Sequence, residues 1–384
     1  MNEMLRNKKI AIVYDWFDTW GGVERVLLTL HEIFPHAIFY TSYCDKKKAA
    51  WAKNLTIHTS FIQRLPPFVK KNRILSFPFF PFAFESFDFS SFDLVISISS
   101  LFAKSAITKP GTLHICYLLT PPRYLWFAQK LYFATFFKKI FSRLFLARYK
   151  KYDSIAANRP DFYISISKTV ARRAKTFYQR DSEVIYPPFD TDYWNSIIPR
   201  PPSHPPDKFR LNRNKPFFLI VSRLEPYKRV DFAISVFNKL KKNVIIVGKG
   251  SEEKKLKKQA HEYIRFMHDI SDEELAYLYA HAKAFIMPQE EDFGYVSLEA
   301  QFFGCPVIAF GKGGSLETIS EGKTGVFFDE QTPLSLSKTL EKFHTISYTI
   351  HQSTREHGKK WVQNYGKDRF IQQFLGYVNE KTIV

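Results

Sequence analysis

Short apolar runs, separated by polar turns, recur along this chain. In the first half they fall at 10–14, 37–40, 94–97, 115–118, 162–166 and 183–186, and in the second at 217–222 and 243–247. The runs at 10–14, 217–222 and 243–247 lack the in-out alternation of a half-exposed strand and predict strands buried on both faces. Between the runs, apolar residues return at helical spacing, as at Val23, Val26, Leu27, Leu30 and Ile33, and again from Val230 to Leu240. Strands alternating with amphipathic helices predict an α/β chain with parallel sheets covered by helices on both faces. The pattern restarts at 217 after YPPFDTDY and the proline-rich 199–216, which places a domain boundary near 187/188. A chain of 384 residues has room for about two such domains.

The densest candidate chemistry lies at 288–319, PQEEDFGYVSLEAQFFGCPVIAFGKGGSLETI. Glu291 falls in the turn-like EEDFG, followed by a helix whose apolar positions include Val296, Leu298, Ala300, Phe302 and Phe303. Free N–H groups at the start of that helix favour an anion such as a phosphate. Glu299, inside the helix, is placed to reach a group further along the same ligand. Paired carboxylates alone would also permit glycoside hydrolysis. Arg223 and Lys228, in the loop RLEPYKR just beyond the strand at 217–222, argue otherwise, because a guanidinium and an ammonium there suit a diphosphate. Gly248 and Gly250 in VGKG stand at the next strand end, and Gly21 and Gly22 open the first helix where their backbone would admit a phosphate or sugar. A plain glycine turn explains the last pair as well.

Charge narrows the partners. Fifty-six basic against 37 acidic residues leave +19, and 39 residues are Phe, which points to anionic partners. Two connections, 61–92 and 123–152, are rich in aromatic and basic residues. The stretch 131–153, LYFATFFKKIFSRLFLARYKKYD, suits a helix lying on an anionic bilayer, and equally a core helix with a basic exposed face. No run is long and apolar enough to span a bilayer, and MNEMLRNKK followed by IAIVYD lacks the apolar core of an export signal. Cys44, Cys116 and Cys305 are far apart and suggest neither disulfides nor a zinc site, so a reducing cytoplasm is expected. No nucleic-acid-binding module is recognisable. Asp190 and Asp192 form a DxD, read as a structural turn because a metal needs several oxygen ligands. His114 is read as a buried histidine with a structural partner.

Together, GGVERV, SRLEPYKRVD, VGKG and EEDFGYVSLEAQFFGCPV, in that order, resemble retaining glycosyltransferases of family 4, and the resemblance spans nearly the whole chain. It is most similar to bacterial enzymes that use GDP-mannose. The resemblance implies the GT-B fold: two Rossmann-like domains whose parallel sheets face across a cleft, residues 1–187 on the acceptor side and 188–360 binding the nucleotide sugar, with a last helix of about 361–384 crossing back to the first.

It also implies roles. Glu291 would hold donor-sugar hydroxyls, and the backbone N–H groups of Phe293, Gly294, Tyr295 and Val296 the sugar and diphosphate. Glu299 would accept from the ribose, Ile270 would flank the base, and Arg223 and Lys228 would neutralise the departing diphosphate without metal or other cofactor. The implied activity is hexose transfer, mannose from GDP-mannose, to a lipid-linked or polysaccharide acceptor at the inner membrane face. Two departures touch the acceptor side: Leu119 stands where the family commonly has a histidine, and Phe127 where it has an acid. A GT-B nucleotide-sugar epimerase and a non-catalytic nucleotide-sugar-binding protein are the alternatives.

Overall fold

A computed structural model describes residues 5, 7–129, 136–202 and 216–383. The chain divides into two compact units, Met1–Pro188 with Lys367–Val384, and Phe189–Gly366.

In the first unit β1 (Ile10–Tyr14), β2 (Ile38–Thr41), β3 (Ile57–Thr59), β4 (Leu94–Ser99), β5 (Leu113–Leu118), β6 (Phe162–Ser165) and β7 (Glu183–Val184) form one sheet in the order β3-β2-β1-β4-β5-β6-β7. Every pairing is parallel; Ile12 faces Phe39 on one side and Ile96 on the other. Strands β1 and β4 are buried along their whole length; β1 is apolar throughout, as burial on both faces favours, while β4 buries Ser97 and Ser99 between its apolar residues. In the second unit β8 (Phe218–Val221), β9 (Val244–Val247), β10 (Ile264–Met267), β11 (Ala284–Met287), β12 (Val307–Phe310) and β13 (Gly325–Phe328) form a second parallel sheet, β10-β9-β8-β11-β12-β13. Two doubly wound parallel α/β units are what the fold-class expectation requires. In both sheets the strand order reverses once, between β1 and β4 and between β8 and β11, and ligands of open α/β sheets bind beyond the strand ends at such points.

The differences from the sequence reading are local. Strand β3 is a short edge piece, Ile-His-Thr, without an apolar run to reveal it. Residues 61–85 form a chain of short turns, because Pro67, Pro78 and Pro81 each remove a backbone donor and prevent one continuous helix. Of the stretch 131–153, residues 131–135 lie outside the described residues, and the helix Phe136–Ala156 follows. Its end is tied inward: Asp153 pairs with Lys104 at 2.5 Å, both buried, and accepts from Trp126 Nε1 at 2.7 Å and the Tyr178 hydroxyl at 2.8 Å. Arg148 and Lys151 stay exposed, so from Leu146 onward this is a core-anchored helix with a basic outer face. Residues 203–215 of the proline-rich connection lie outside the described residues. Asp190 accepts from Tyr193 N at 2.9 Å and caps the helix Thr191–Ser196, a structural role for the DxD.

At the other end of the chain, the last helix starts at Lys367 rather than near 361. Trp361 closes the helix Pro333–Val362 of the second unit, donating Nε1–H to Thr318 O at 2.8 Å. The helix Lys367–Ile383 belongs to the first unit, where Phe370 and Phe374 are buried beside Tyr117 of β5, with ring centroids 6.0 and 6.2 Å away.

At the switch point of the first unit the strand ends hold each other. Asp15, the residue after β1, is buried and accepts from the N–H groups of Ser100, Leu101, Phe102 and Ala103 and from the Ser100 hydroxyl, all at 2.8–3.0 Å. These amides cluster like an anion site, and the protein's own carboxylate fills it. Asp15→Ala leaves four such amides without their acceptor and should cost about 2–4 kcal/mol. The expected result is an earlier first-unit transition in urea and faster amide exchange at 100–103; unchanged exchange would contradict it.

His114 in β5 is fully buried, with Nε2 2.9 Å from the Ser97 hydroxyl. Burial, and then the charge of Arg159, lower its pKa from 6.5 to about 3. The unfolded chain therefore takes up the proton first, and stability should fall as pH drops from 6.5 toward 3. His114→Gln, which does not titrate, should flatten the acid limb of a plot of urea midpoint against pH.

Candidate active site

The second switch point collects the sequence-predicted acids and cations. Strand β8 runs into Ser222–Leu224, then a tight turn Pro226–Lys228, and Arg229 follows in the left-handed region at φ 54° before the helix Val230–Leu240. That turn delivers Lys228 to the loop beyond β11, where its Nζ forms an ion pair with Glu291 Oε1; each side chain is only 12% exposed. The same Glu291 oxygen accepts from Gln289 Nε2 at 2.6 Å. Gln331 in turn donates to Pro288 O at 2.9 Å, tethering the start of this loop.

The loop after β12 clamps the acid from the other side. Gly313 sits at φ +81°, and a Cβ there would come 2.3 Å from the Glu291 carbonyl oxygen. Its neighbour Gly314 donates its N–H to that carbonyl at 2.7 Å. Only glycine permits so close an approach in that conformation. The loop closes on Phe293, whose ring is buried against Tyr295 and Tyr365 at centroid distances of 5.3 and 5.6 Å. Gly294 then caps the helix Tyr295–Phe302 without a side-chain acceptor. The positive end of that helix, including Val296 in its first turn, thus lies immediately after Glu291 in the chain.

The other predicted residues of the second unit have partners of their own. Glu299 is buried and accepts from the Tyr279 hydroxyl at 3.1 Å. Arg223 is exposed and donates to the Tyr227 hydroxyl at 2.9 Å. Ile270 is half-buried against the apolar cluster of Met267 and Tyr279, just before the capping box of Ser271 and Glu274.

Gly248 has a structural assignment. It lies at φ +142°, a Cβ would fall 1.9 Å from Ser222 O, and its own N–H goes to Met267 O at 2.9 Å. Its amide is thus engaged by the sheet. Gly21, extended at φ −171°, and Gly22 open the helix Gly22–Ile33 of the first unit. There Leu119 is buried, with its N–H on Ser99 O at 2.9 Å, and Phe127 stacks on Phe177 under the Arg173 guanidinium, 4.1 Å from the ring centre. Gln289, Gln331 and Tyr279 are absent from the predicted set. Gln289, two positions before Glu291 in the same loop, was the most accessible of the three to sequence reasoning.

Residues 205–361 match the family described as glycosyl transferases group 1. That match lies within the second unit. Curated relatives include the human alpha-1,3/1,6-mannosyltransferase ALG2, 26% identical over 54% of this chain and 54% of the relative. The GDP-mannose-dependent alpha-(1-6)-phosphatidylinositol monomannoside mannosyltransferase of Mycobacterium tuberculosis is 32% identical over 42% of this chain and 47% of the relative. The chain matches about half the length of these relatives. Among solved structures, Anabaena Alr3699/HepE in complex with UDP superposes with a TM-score of 0.69 at 16% identity, covering 97% of this chain and 100% of that one. That likeness places the fold of this chain among GT-B structures.

Lys228→Ala removes the ammonium facing a mostly buried carboxylate and should destabilise the second unit by about 1–3 kcal/mol. Adding Glu291→Gln should recover part of that loss in a double-mutant cycle. Strictly additive urea midpoints would show that the two side chains do not act as a pair.

Proposed function

We propose that this chain is a retaining, metal-independent hexosyltransferase that moves mannose from GDP-mannose to a lipid-linked or polysaccharide acceptor at the cytoplasmic face of a membrane. The observation that carries the reading is the Lys228–Glu291 pair at the β8–β11 switch point, directly before a helix start. A nucleotide diphosphate bound there meets an ammonium, the Arg223 guanidinium and helix N–H groups, all complementary to the charge that grows as the diphosphate departs. Glu291, set by Gln289, accepts from hydroxyls of the hexose. Glu299, oriented by Tyr279, accepts from the ribose, and Ile270 lies against the base.

In the step itself, the bond from the anomeric carbon to the phosphate oxygen breaks while the acceptor hydroxyl oxygen bonds to that carbon on the same face. The hydroxyl proton passes to the departing phosphate oxygen. Two cations on the leaving group remove the need for a carboxylic acid to protonate it, which separates this chemistry from the hydrolase use of paired acids. The donor assignment is supported by the mannosyltransferase names of the relatives. The acceptor assignment is supported by the basic, aromatic connections of the first unit, and no described helix is long and apolar enough to cross a membrane.

The buried Leu119, which offers no hydrogen-bonding group, favours a second reading: a protein that binds nucleotide sugar without turnover. Incubation with GDP-mannose, with UDP-glucose as competing donor and with EDTA throughout, separates the two. Release of GDP with a mannosylated product is expected. A requirement for added metal, turnover of the UDP-sugar alone, or binding without turnover would each overturn a named part of the proposal. Glu291→Ala should lower transfer by about a hundredfold or more with an unchanged circular dichroism spectrum.

A further inference from the structure

We infer that residues 61–82 of the first unit form a ridge that docks the protein onto an anionic lipid bilayer. The inference deepens the lipid-linked acceptor reading and rests on it for its purpose. The segment is divided by its short turns into an inner and an outer set of apolar side chains. Ile62 and Phe80 are buried in the cluster that includes Tyr40, Phe89 and Phe102. Phe68, Ile74 and Phe82 point outward and are 69%, 84% and 62% exposed, joined by Phe61, Leu75 and Phe79. Scattered single apolar residues on a surface need no explanation, but so many within one short segment do.

Charge identifies the occupant. Residues 61–82 contain Arg64, Lys70, Lys71 and Arg73 and no Asp or Glu. Lys71 is exposed, and Lys70 is half-buried with its Nζ donating to Gln63 O at 2.9 Å. The Arg73 guanidinium lies over Trp16, 3.7 Å from the ring centre, and pairs with Asp18. Aromatic and aliphatic tips flanked by lysine are the composition of interfacial segments, where rings enter the headgroup boundary and cations meet anionic lipid. A second copy of a chain with net charge +19 would bring the same lysines and repel.

The full chain is tested by co-sedimentation with phosphatidylcholine vesicles, with and without phosphatidylglycerol. Binding to the anionic vesicles and its release by salt are expected. The triple variant Phe68→Ser, Ile74→Ser, Phe82→Ser should partition at least about tenfold more weakly, and Lys70→Gln with Lys71→Gln about fivefold more weakly per cation. If the triple variant fails to fold, the lysine pair carries the test. Equal binding to neutral vesicles, unaltered binding by the variants, or self-association that the triple variant abolishes while vesicle binding persists would overturn the inference. GDP-mannose binding measured on the same samples keeps the two proposals apart: lost docking with intact nucleotide binding removes only the ridge, and intact docking without nucleotide binding removes only the transferase.

Discussion

The ion pair of Lys228 and Glu291 fixes the relation between the loops that leave β8 and β11, the two strands flanking the switch point of the second sheet. Two charges held with so little exposure lose much of their hydration, and their attraction repays that only where geometry and further hydrogen bonds are good. Gln289 supplies such a bond to the same carboxylate oxygen, and the Gly313–Gly314 loop holds the backbone of Glu291 from the opposite side. The acid is therefore fixed by side chain and main chain together before any ligand arrives. Preorganisation of this kind is what a site needs if its cations are to stabilise a departing diphosphate without rearranging during the reaction. It also sets a competition, because a phosphate approaching Lys228 shares that ammonium with Glu291.

The first unit handles the equivalent position differently. There the amides of Ser100 to Ala103 converge as they would on a phosphate, but Asp15 already occupies them. A carboxylate satisfied by so many donors is a stable structural element, and displacing it would leave a buried charge without its partners. Two sheets of the same winding thus carry different switch points: one closed by a built-in anion, the other holding a cation and an acid in a pair. That difference supports placing the proposed nucleotide recognition in the second unit, alongside the group 1 match over 205–361.

Much of this architecture was legible in the sequence, and the exceptions share a cause. Runs such as Ile10–Tyr14 declare themselves because a strand covered on both faces must be apolar throughout. Val230–Leu240 declares itself through helical spacing. The edge strand Ile57–Thr59 did not, since a strand paired on one side is free to carry His58 and a polar end. Glu291 and Lys228 could be singled out from their loops, but their pairing could not, because it depends on β8 and β11 being neighbours across a crossover. Gly248 stood out as a strand-end glycine, and the backbone of Ser222 supplies a demand for it that the sequence did not show. Spacing along the chain reports local conformation; it does not report which carbonyl lies across the next strand.

The aromatic, basic character of the first unit shows the same distinction between composition and placement. Read as a string, 131–153 is the stronger membrane candidate, with its lysines and arginines among phenylalanines. In three dimensions its C-terminal part is drawn inward by Asp153, whose buried pairing with Lys104 and bonds from Trp126 and Tyr178 orient the helix toward the core. The segment 61–82 has the opposite history: prolines prevent a single amphipathic helix, so no helical period marks it, yet the broken turns leave Phe68, Ile74 and Phe82 standing outward. A regular helix would have gathered those side chains onto one stripe and packed it away. Irregular backbone, with no continuous apolar stripe to pack away, leaves them at the surface beside Lys71.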